Sequence, residues 1–389
     1  ISIMMLQKEG NISSTGELGS IGINLLKELF TKDIRLDVKL NSVLDVFDNR
    51  ITDHTDEQVK FLEFSKNFNR AIVVGGAGTG KTFLAIEKAR EFASSSKKTL
   101  LLYYNEAIAK FCKQELSDYE NVKVLTFHQL CSLCLDNKNV ADFNISDREK
   151  FDDALPNLLI ESISNGKAPT FDSIIIDEAQ DLKQEWLEAV MFCLTDVDNG
   201  HFYLFKDDNQ KIYKNENSSD DLFKVSPFTL TKNVRNTEKI FRFTENYYSG
   251  VTNSVYDFDG PEVKLIDVKG QLLSKTLWKY LSQLMNFEGV PAEKIAVLSF
   301  KSREKSAVFD VLNDKSVPAS SPITKGKFTF DSVYRFKGLE RQLVVLVDLD
   351  AIRISNELLY VAMSRARTFL VIMGNEEPLT EFERISQVR

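Results

Sequence analysis

The stretch "AIVVGGAGTGKTFLAIEKAREFA", residues 71–93, allows few folds. Four apolar, largely β-branched residues read as a buried strand, a glycine-rich turn follows, and the next apolar residues recur with helical period. A strand that feeds a helix through such a loop is the context the P-loop pattern requires. Its glycines let the backbone curl so that successive N–H groups and the helix N-terminus face anionic oxygens. Gly75, Gly76, Ala77, Gly78, Thr79, Gly80, Lys81 and Thr82 are therefore a candidate phosphate cradle. Lys81 would reach the β and γ phosphates of ATP, and the Thr82 hydroxyl would ligate Mg2+. The plain alternative is a glycine-rich turn holding a chance lysine.

Around this motif, strand-like runs alternate with helical ones: "TLLLYY", "EAIAKFCKQEL", "VKVLTF", "SIIID" and "HFYLF". This is the rhythm of an α/β fold with a parallel sheet. A polar stretch, "KNENSSDD" at 214–221, then precedes a second series: "FTL", "EVKLIDV", "KIAVLSF", "KFTFDSVY", "QLVVLVD" and "FLVIMG", with helices between them. The expected organisation is a first α/β domain over 51–222, a second over 223–389, and an N-terminal segment of unassigned role over 1–50. The chain opens on Ile1 with Met4 and Met5 just behind it, which leaves the native start open.

With 389 residues and 43% apolar content, the chain can bury two cores. Its 49 basic and 57 acidic side chains argue against a protein wrapped in nucleic acid, but not against a locally basic groove. Four cysteines form no disulfide framework, and no stretch reads as a signal peptide or membrane span, so a cytoplasmic location is expected. Cys131 and Cys134 form a lone C-x-x-C near His128 and lack further ligands nearby, so they read as core residues rather than a metal site.

"SIIIDEAQDL", residues 173–182, runs a buried strand into acid. Asp177 and Asp181 would suit a helix cap. Beside a P-loop, however, a strand of the same sheet would deliver Asp177 to the magnesium and Glu178 to an attacking water. Capping does not explain Asp177 and Glu178 together.

The DEAQD form, the P-loop and several later segments resemble the UvrD/Rep-like superfamily 1 helicases, in the family's order, over about 51–375. The resemblance implies two RecA-like P-loop domains closing on ATP. "TDEQVKFL" resembles the Q motif and gives Gln58 to the adenine. "LLYYNEAIAKF" and "VLTFHQL" resemble segments that touch single-stranded DNA and supply Tyr104, Asn105, Thr126, Phe127 and His128. "KDDNQKIY" supplies Gln210 for the γ phosphate and Tyr213 for DNA. In the second domain, "LTKNVRNTEKI" supplies Arg235, "SVYRFKGLE" supplies Glu340 for the ribose, and "LLYVAMSRAR" supplies Arg365. Taken singly, the arginines would be surface ion pairs, Gln58 an exposed helix residue, Glu340 a turn acid, and Tyr104 and Phe127 core residues.

The resemblance implies an ATP-dependent DNA translocase or helicase of 3' to 5' polarity, acting on single-stranded DNA or a duplex with a single-stranded end. It has departures. Val234 stands where an aromatic usually stacks on adenine, which predicts modest discrimination among nucleoside triphosphates; Lys206, Glu106, Tyr334 and Ser364 also differ from the usual residues. The gaps 131–176 and 236–331 leave little room for the family's large accessory subdomains. Compact helicases of this kind resemble those joined to a nuclease-related domain, although residues 1–50 carry no nuclease motif. A second reading is thus an ATP-gated nucleic-acid clamp or sensor that regulates a nuclease or defence complex. An RNA-directed enzyme is a third.

Overall fold

The computed structural model describes residues 39–50, 56–134, 148–207, 225–247, 254–255, 259–350 and 354–386. Two helices, α1 (Leu40–Arg50) and α2 (Asp56–Ser65), come first. Then follow β1 (Arg70–Gly75), α3 (Lys81–Ser94), β2 (Thr99–Tyr103), α4 (Glu106–Glu115), β3 (Val122–Thr126), α5 (Phe127–Cys134) and α6 (Arg148–Ser164). The first half is completed by β4 (Ser173–Ile176), α7 (Gln184–Met191), β5 (His201–Lys206) and β6 (Phe228–Leu230). These strands form one six-stranded parallel sheet in the order β3-β2-β4-β5-β1-β6.

Parallel strands are buried on both faces and so read as unbroken apolar runs. In β2 and β4 every residue is buried. The order also puts β4, β5 and β1 side by side, and ligands of open α/β sheets bind beyond the carboxyl ends of the strands. The acids after β4 and the loop after β1 are thereby brought to one edge.

The second half contains β7 (Lys232–Asn233), α8 (Glu238–Glu245), β8 (Ser254–Val255), β9 (Lys264–Asp267), α9 (Leu273–Asn286), β10 (Ile295–Ser299) and α10 (Phe309–Leu312). It continues with β11 (Ser316–Val317), β12 (Phe328–Ser332), α11 (Val333–Phe336), β13 (Arg341–Val347), α12 (Asn356–Met363), β14 (Ala366–Gly374) and α13 (Glu376–Ser386). Its main sheet is again six-stranded and parallel, in the order β11-β12-β10-β13-β14-β9. Strands β7 and β8 form a separate pair. The two expected α/β units are present, and the described parts of both gaps between motifs are filled by elements of these units.

Two segments sit differently from the expectation. "FTL" pairs in parallel with β1, bringing Leu230 level with Gly75, so β6 belongs to the first sheet. Leu230 is fully buried beside the glycine, and Phe228 packs on Phe61 of α2. The first sheet therefore extends past the polar stretch to Leu230. Helix α1, the described end of the segment 1–50, lies on the second unit. Leu44 is buried in that unit's core, the Leu40 N–H donates to Glu288 at 3.0 Å, and Lys294 donates to Asn41 at 3.0 Å. No described helix is long and apolar enough to cross a membrane.

Candidate active site

The P-loop joins β1 to α3. Gly78 and Gly80 have φ of 79° and 89°, a left-handed backbone that an L side chain adopts only at a cost, so the turn requires glycine there. Gly80 caps α3 without a side chain, leaving the first N–H groups of the helix for an anion. Thr79 braces the loop by donating from its hydroxyl to the Gly76 carbonyl at 3.0 Å. Lys81 is buried. Its ammonium donates to the carbonyls of Gly75 and Gly76, at 2.7 and 2.8 Å, and lies 3.5 Å from the Asp207 carboxylate at the end of β5.

Asp177 follows β4 and is fully buried. One carboxylate oxygen accepts from the Glu178 N–H at 2.9 Å; the other, Oδ2, has no hydrogen-bond partner among the described residues. Burial, and then the Glu178 charge, push Asp177 up to about 7, against the pull of the Thr82 hydroxyl and Lys81. Glu178 has a φ of 53°, a strained backbone of the kind that collects at functional sites. Burial would raise its carboxyl, but Lys337, Lys81 and Arg365, helped by a hydrogen bond from Gln180, hold it below the ordinary carboxylate value. The two neighbouring acids are thus pushed apart. Gln180 also accepts from the Asp207 N–H at 3.0 Å, linking the ends of β4 and β5.

These donors fit magnesium. The ion takes oxygen ligands in octahedral geometry and commonly keeps waters and phosphate oxygens, so one or two protein ligands suffice. The Thr82 hydroxyl and Asp177 Oδ2 are of that kind. Among the described residues no cluster of three His, Cys, Asp or Glu makes a separate metal cage.

The second unit closes on this edge. Lys337, just past α11, inserts its ammonium between Asp181, at 2.6 Å, and Glu178, at 3.8 Å. Burial pushes Asp181 up, Lys337 pulls it back, and the balance is about 6. Arg365, between α12 and β14, is fully buried; its guanidinium donates to the Val361 carbonyl at 2.9 Å and the Ser364 hydroxyl at 3.0 Å. Burial and the nearby Arg235 lower its pKa, while Glu178 and Glu340 oppose them. Arg235 forms an ion pair with Glu340, which also lies 3.7 Å from Arg367. The Tyr360 hydroxyl of α12 accepts from the P-loop N–H of Ala77 at 2.8 Å.

Gln58 is buried in α2 and donates to the Thr79 carbonyl at 3.2 Å, so this expected base contact lies against the P-loop. Its neighbour Glu57 accepts from the Thr231 N–H at 2.9 Å and the Lys232 N–H at 3.1 Å, where the chain crosses between sheets. Gln210 and Tyr213 lie outside the described residues.

The expected DNA-facing residues divide. Phe127 is fully buried and stacks on Trp186 at 4.1 Å, so it is a core residue rather than a platform for a base. The strand-to-helix junction after β3 turns this aromatic inward, where Trp186 of α7 meets it. Thr126 is a helix cap: its hydroxyl accepts from the Gln129 N–H, and the Gln129 side chain accepts from the Thr126 N–H. Asn105 caps α4 and donates across the cleft to the Tyr334, Arg335 and Lys337 carbonyls, at 3.3, 3.3 and 3.1 Å. Tyr104 and His128 remain partly exposed at the ends of β2 and β3, beside Trp186. Cys131 is a buried core residue, as expected; the Cys134 side chain lies outside the described residues.

Sequence reasoning missed Lys337, Tyr360, Asp207 and Trp186. Lys337 and Tyr360 lie inside the quoted motifs "SVYRFKGLE" and "LLYVAMSRAR", but their residue types alone carry no signal of burial or of distant partners.

Comparison with known proteins agrees with this geometry. A family model described as an AAA domain matches residues 62–216, and a model of the UvrD-like helicase C-terminal domain matches residues 327–373. These two matches support the likeness to the UvrD/Rep-like superfamily 1 helicases. The two matches fall on the two halves of the cleft, the first holding Lys81, Asp177 and Glu178, the second holding Lys337, Glu340 and Arg365. No curated protein matches the chain. Among solved structures it is similar to the PRRSV helicase, at 10% identity and a TM-score of 0.43, covering 80% of this chain and 54% of that one. It is also similar to an arterivirus nonstructural protein 10 helicase, at 12% identity and a TM-score of 0.41, covering 81% of this chain and 61% of that one. The chain thus spans little more than half the length of these solved helicases.

Proposed function

We propose that this chain is a magnesium-dependent ATP hydrolase that uses closure of its two RecA-like domains to move along single-stranded DNA. The observation that carries this reading is the meeting of both halves at one cleft: Lys81, Asp177 and Glu178 on one side, Arg235, Glu340 and Arg365 on the other. A transferring phosphoryl group needs charge stabilisation, and an arginine offered from a second domain is worth roughly 1,000- to 100,000-fold in rate. Glu178, ionised at neutral pH, accepts a proton from the attacking water. Lys81 and the P-loop amides hold the phosphates, and Thr82 and Asp177 would hold Mg2+, which would supply neutralisation of the phosphate charge. Closing and opening then move the DNA-facing surfaces of the two domains alternately.

The resemblance supports 3' to 5' polarity, and Tyr104 with His128 supports sequence-tolerant contact with bases, since every base has a π face. A second reading rests on the compact gaps: without large accessory subdomains, the chain gates a nucleic-acid clamp that regulates a nuclease or defence complex. Purified protein is expected to hydrolyse ATP faster with single-stranded DNA than without it, and Lys81→Ala to lose this activity. Absence of DNA-stimulated hydrolysis overturns the first reading. Robust strand displacement by the isolated chain rules out the second, and end-labelled substrates report polarity.

A further inference from the structure

We propose that Asn233 and Asn236, the asparagines on either side of "VR" in "KNVRNT", form a buried amide relay that registers Arg365 against the phosphate loop. They act as positioning residues for the hydrolysis proposed above, on which the inference rests. Both are almost wholly buried, and neither was singled out by its residue type.

The relay is continuous. Asn233 Nδ2 donates one hydrogen to the P-loop carbonyl of Ala77 at 3.0 Å and the other to Asn236 Oδ1 at 2.9 Å. Asn236 Nδ2 donates both of its hydrogens to the carbonyls of Ser364 and Ala366, at 3.0 and 2.6 Å. Those carbonyls flank Arg365, whose own carbonyl accepts from the Arg341 N–H at 3.1 Å. The turn that carries the arginine is therefore pinned at three successive peptides, two of them through Asn236. Asn233 Oδ1 accepts from the Arg235 and Asn236 N–H groups, each at 3.0 Å, which fixes the second arginine to the same hub.

All four amide hydrogens of the pair point at an acceptor, and the site demands this polarity, because an oxygen in place of either nitrogen would face a carbonyl. A side chain on Gly78 would collide with both asparagines, at 2.6 Å from Asn233 and 2.7 Å from Asn236. The Val234 N–H also donates to the Gly78 carbonyl at 2.9 Å. The loop that would hold the phosphates and the turn that holds Arg365 are thus joined through two side chains. A small displacement of a catalytic group costs large factors in rate, so loss of this register should lower turnover more than nucleotide affinity.

A double-mutant cycle tests the relay. Single-turnover ATP hydrolysis and binding of a non-hydrolysable ATP analogue are measured for Asn236→Ala, Arg365→Ala, the double variant and wild type, in the full chain with single-stranded DNA. The relay predicts that Asn236→Ala lowers the rate at least tenfold, changes analogue affinity less than about twofold, and has no further effect once Arg365 is gone. An equal loss in both backgrounds, or an intact rate in Asn236→Ala, overturns the proposal. Should Asn236→Ala fail to fold, Asn236→Ser keeps a donor to one of the two carbonyls and is read in the same cycle, with an intermediate loss expected. A wild-type chain that hydrolyses no ATP contradicts the function itself, an outcome distinct from an active enzyme with no coupling between the two residues.

Discussion

At the scale of single residues, the adjacent acids Asp177 and Glu178 have pKa values shifted in opposite directions. Glu178→Gln keeps size and hydrogen bonding but cannot take a proton, so it should bind ATP as wild type does while kcat falls about 100- to 10,000-fold. Equal kcat in a steady-state assay contradicts the role. Asp177 is raised by burial to about 7, so between the ordinary carboxylate range and neutrality the folded chain holds a proton that the unfolded chain has released. Stability conferred on the nucleotide-free protein therefore falls as pH rises through that window. Asp177→Asn should flatten the dependence of Tm on pH between about pH 4 and 7; an unchanged slope counts against the shift. These acids were legible in the sequence because a strand and its carboxyl end are contiguous. Lys337 was not, since its partners Glu178 and Asp181 lie far away in the chain. Phe127 was misread for a related reason: only Trp186, contributed by another helix, shows that the ring faces inward.

At the scale of elements, the P-loop is a turn whose backbone leaves little choice of residue. Gly80→Ala puts a side chain at a φ of 89° and into the Gln58 amide. The left-handed backbone alone costs about 1–2 kcal/mol. Calorimetric titration should find affinity for an ATP analogue largely lost in this variant, and retained affinity would mean that the loop relaxes. Most strands of both sheets are visible in the sequence, because a parallel strand covered on both faces needs an unbroken apolar run. The short strand β6 carried no such run, and its place was decided by Leu230 packing beside Gly75 and Phe228 against Phe61. Helix α1 was equally silent: its attachment rests on Leu44 and on polar contacts with Glu288 and Lys294.

For the whole molecule, the two units share one polar cleft, so the proposed nucleotide site would be linked to their relative position. Lys337 and Asp181 form a buried ion pair across this cleft, and removing one partner of such a pair costs about 3–5 kcal/mol. Lys337→Ala should therefore lower Tm in the nucleotide-free state, and an unchanged melting curve would place the pair outside the energetics of closure. DNA or RNA as the activating strand is separable by comparing both as stimulants of hydrolysis, because a protein discriminates between them through the 2′-hydroxyl. The proposed hydrolysis requires groups from both halves. This requirement is tested most directly by single-turnover ATP hydrolysis with magnesium and single-stranded DNA in wild type, Lys81→Ala and Arg365→Ala. Activity is expected in wild type and a loss of roughly 1,000-fold or more in Arg365→Ala, with Lys81→Ala inactive as well. Wild-type rates in Arg365→Ala would contradict the requirement.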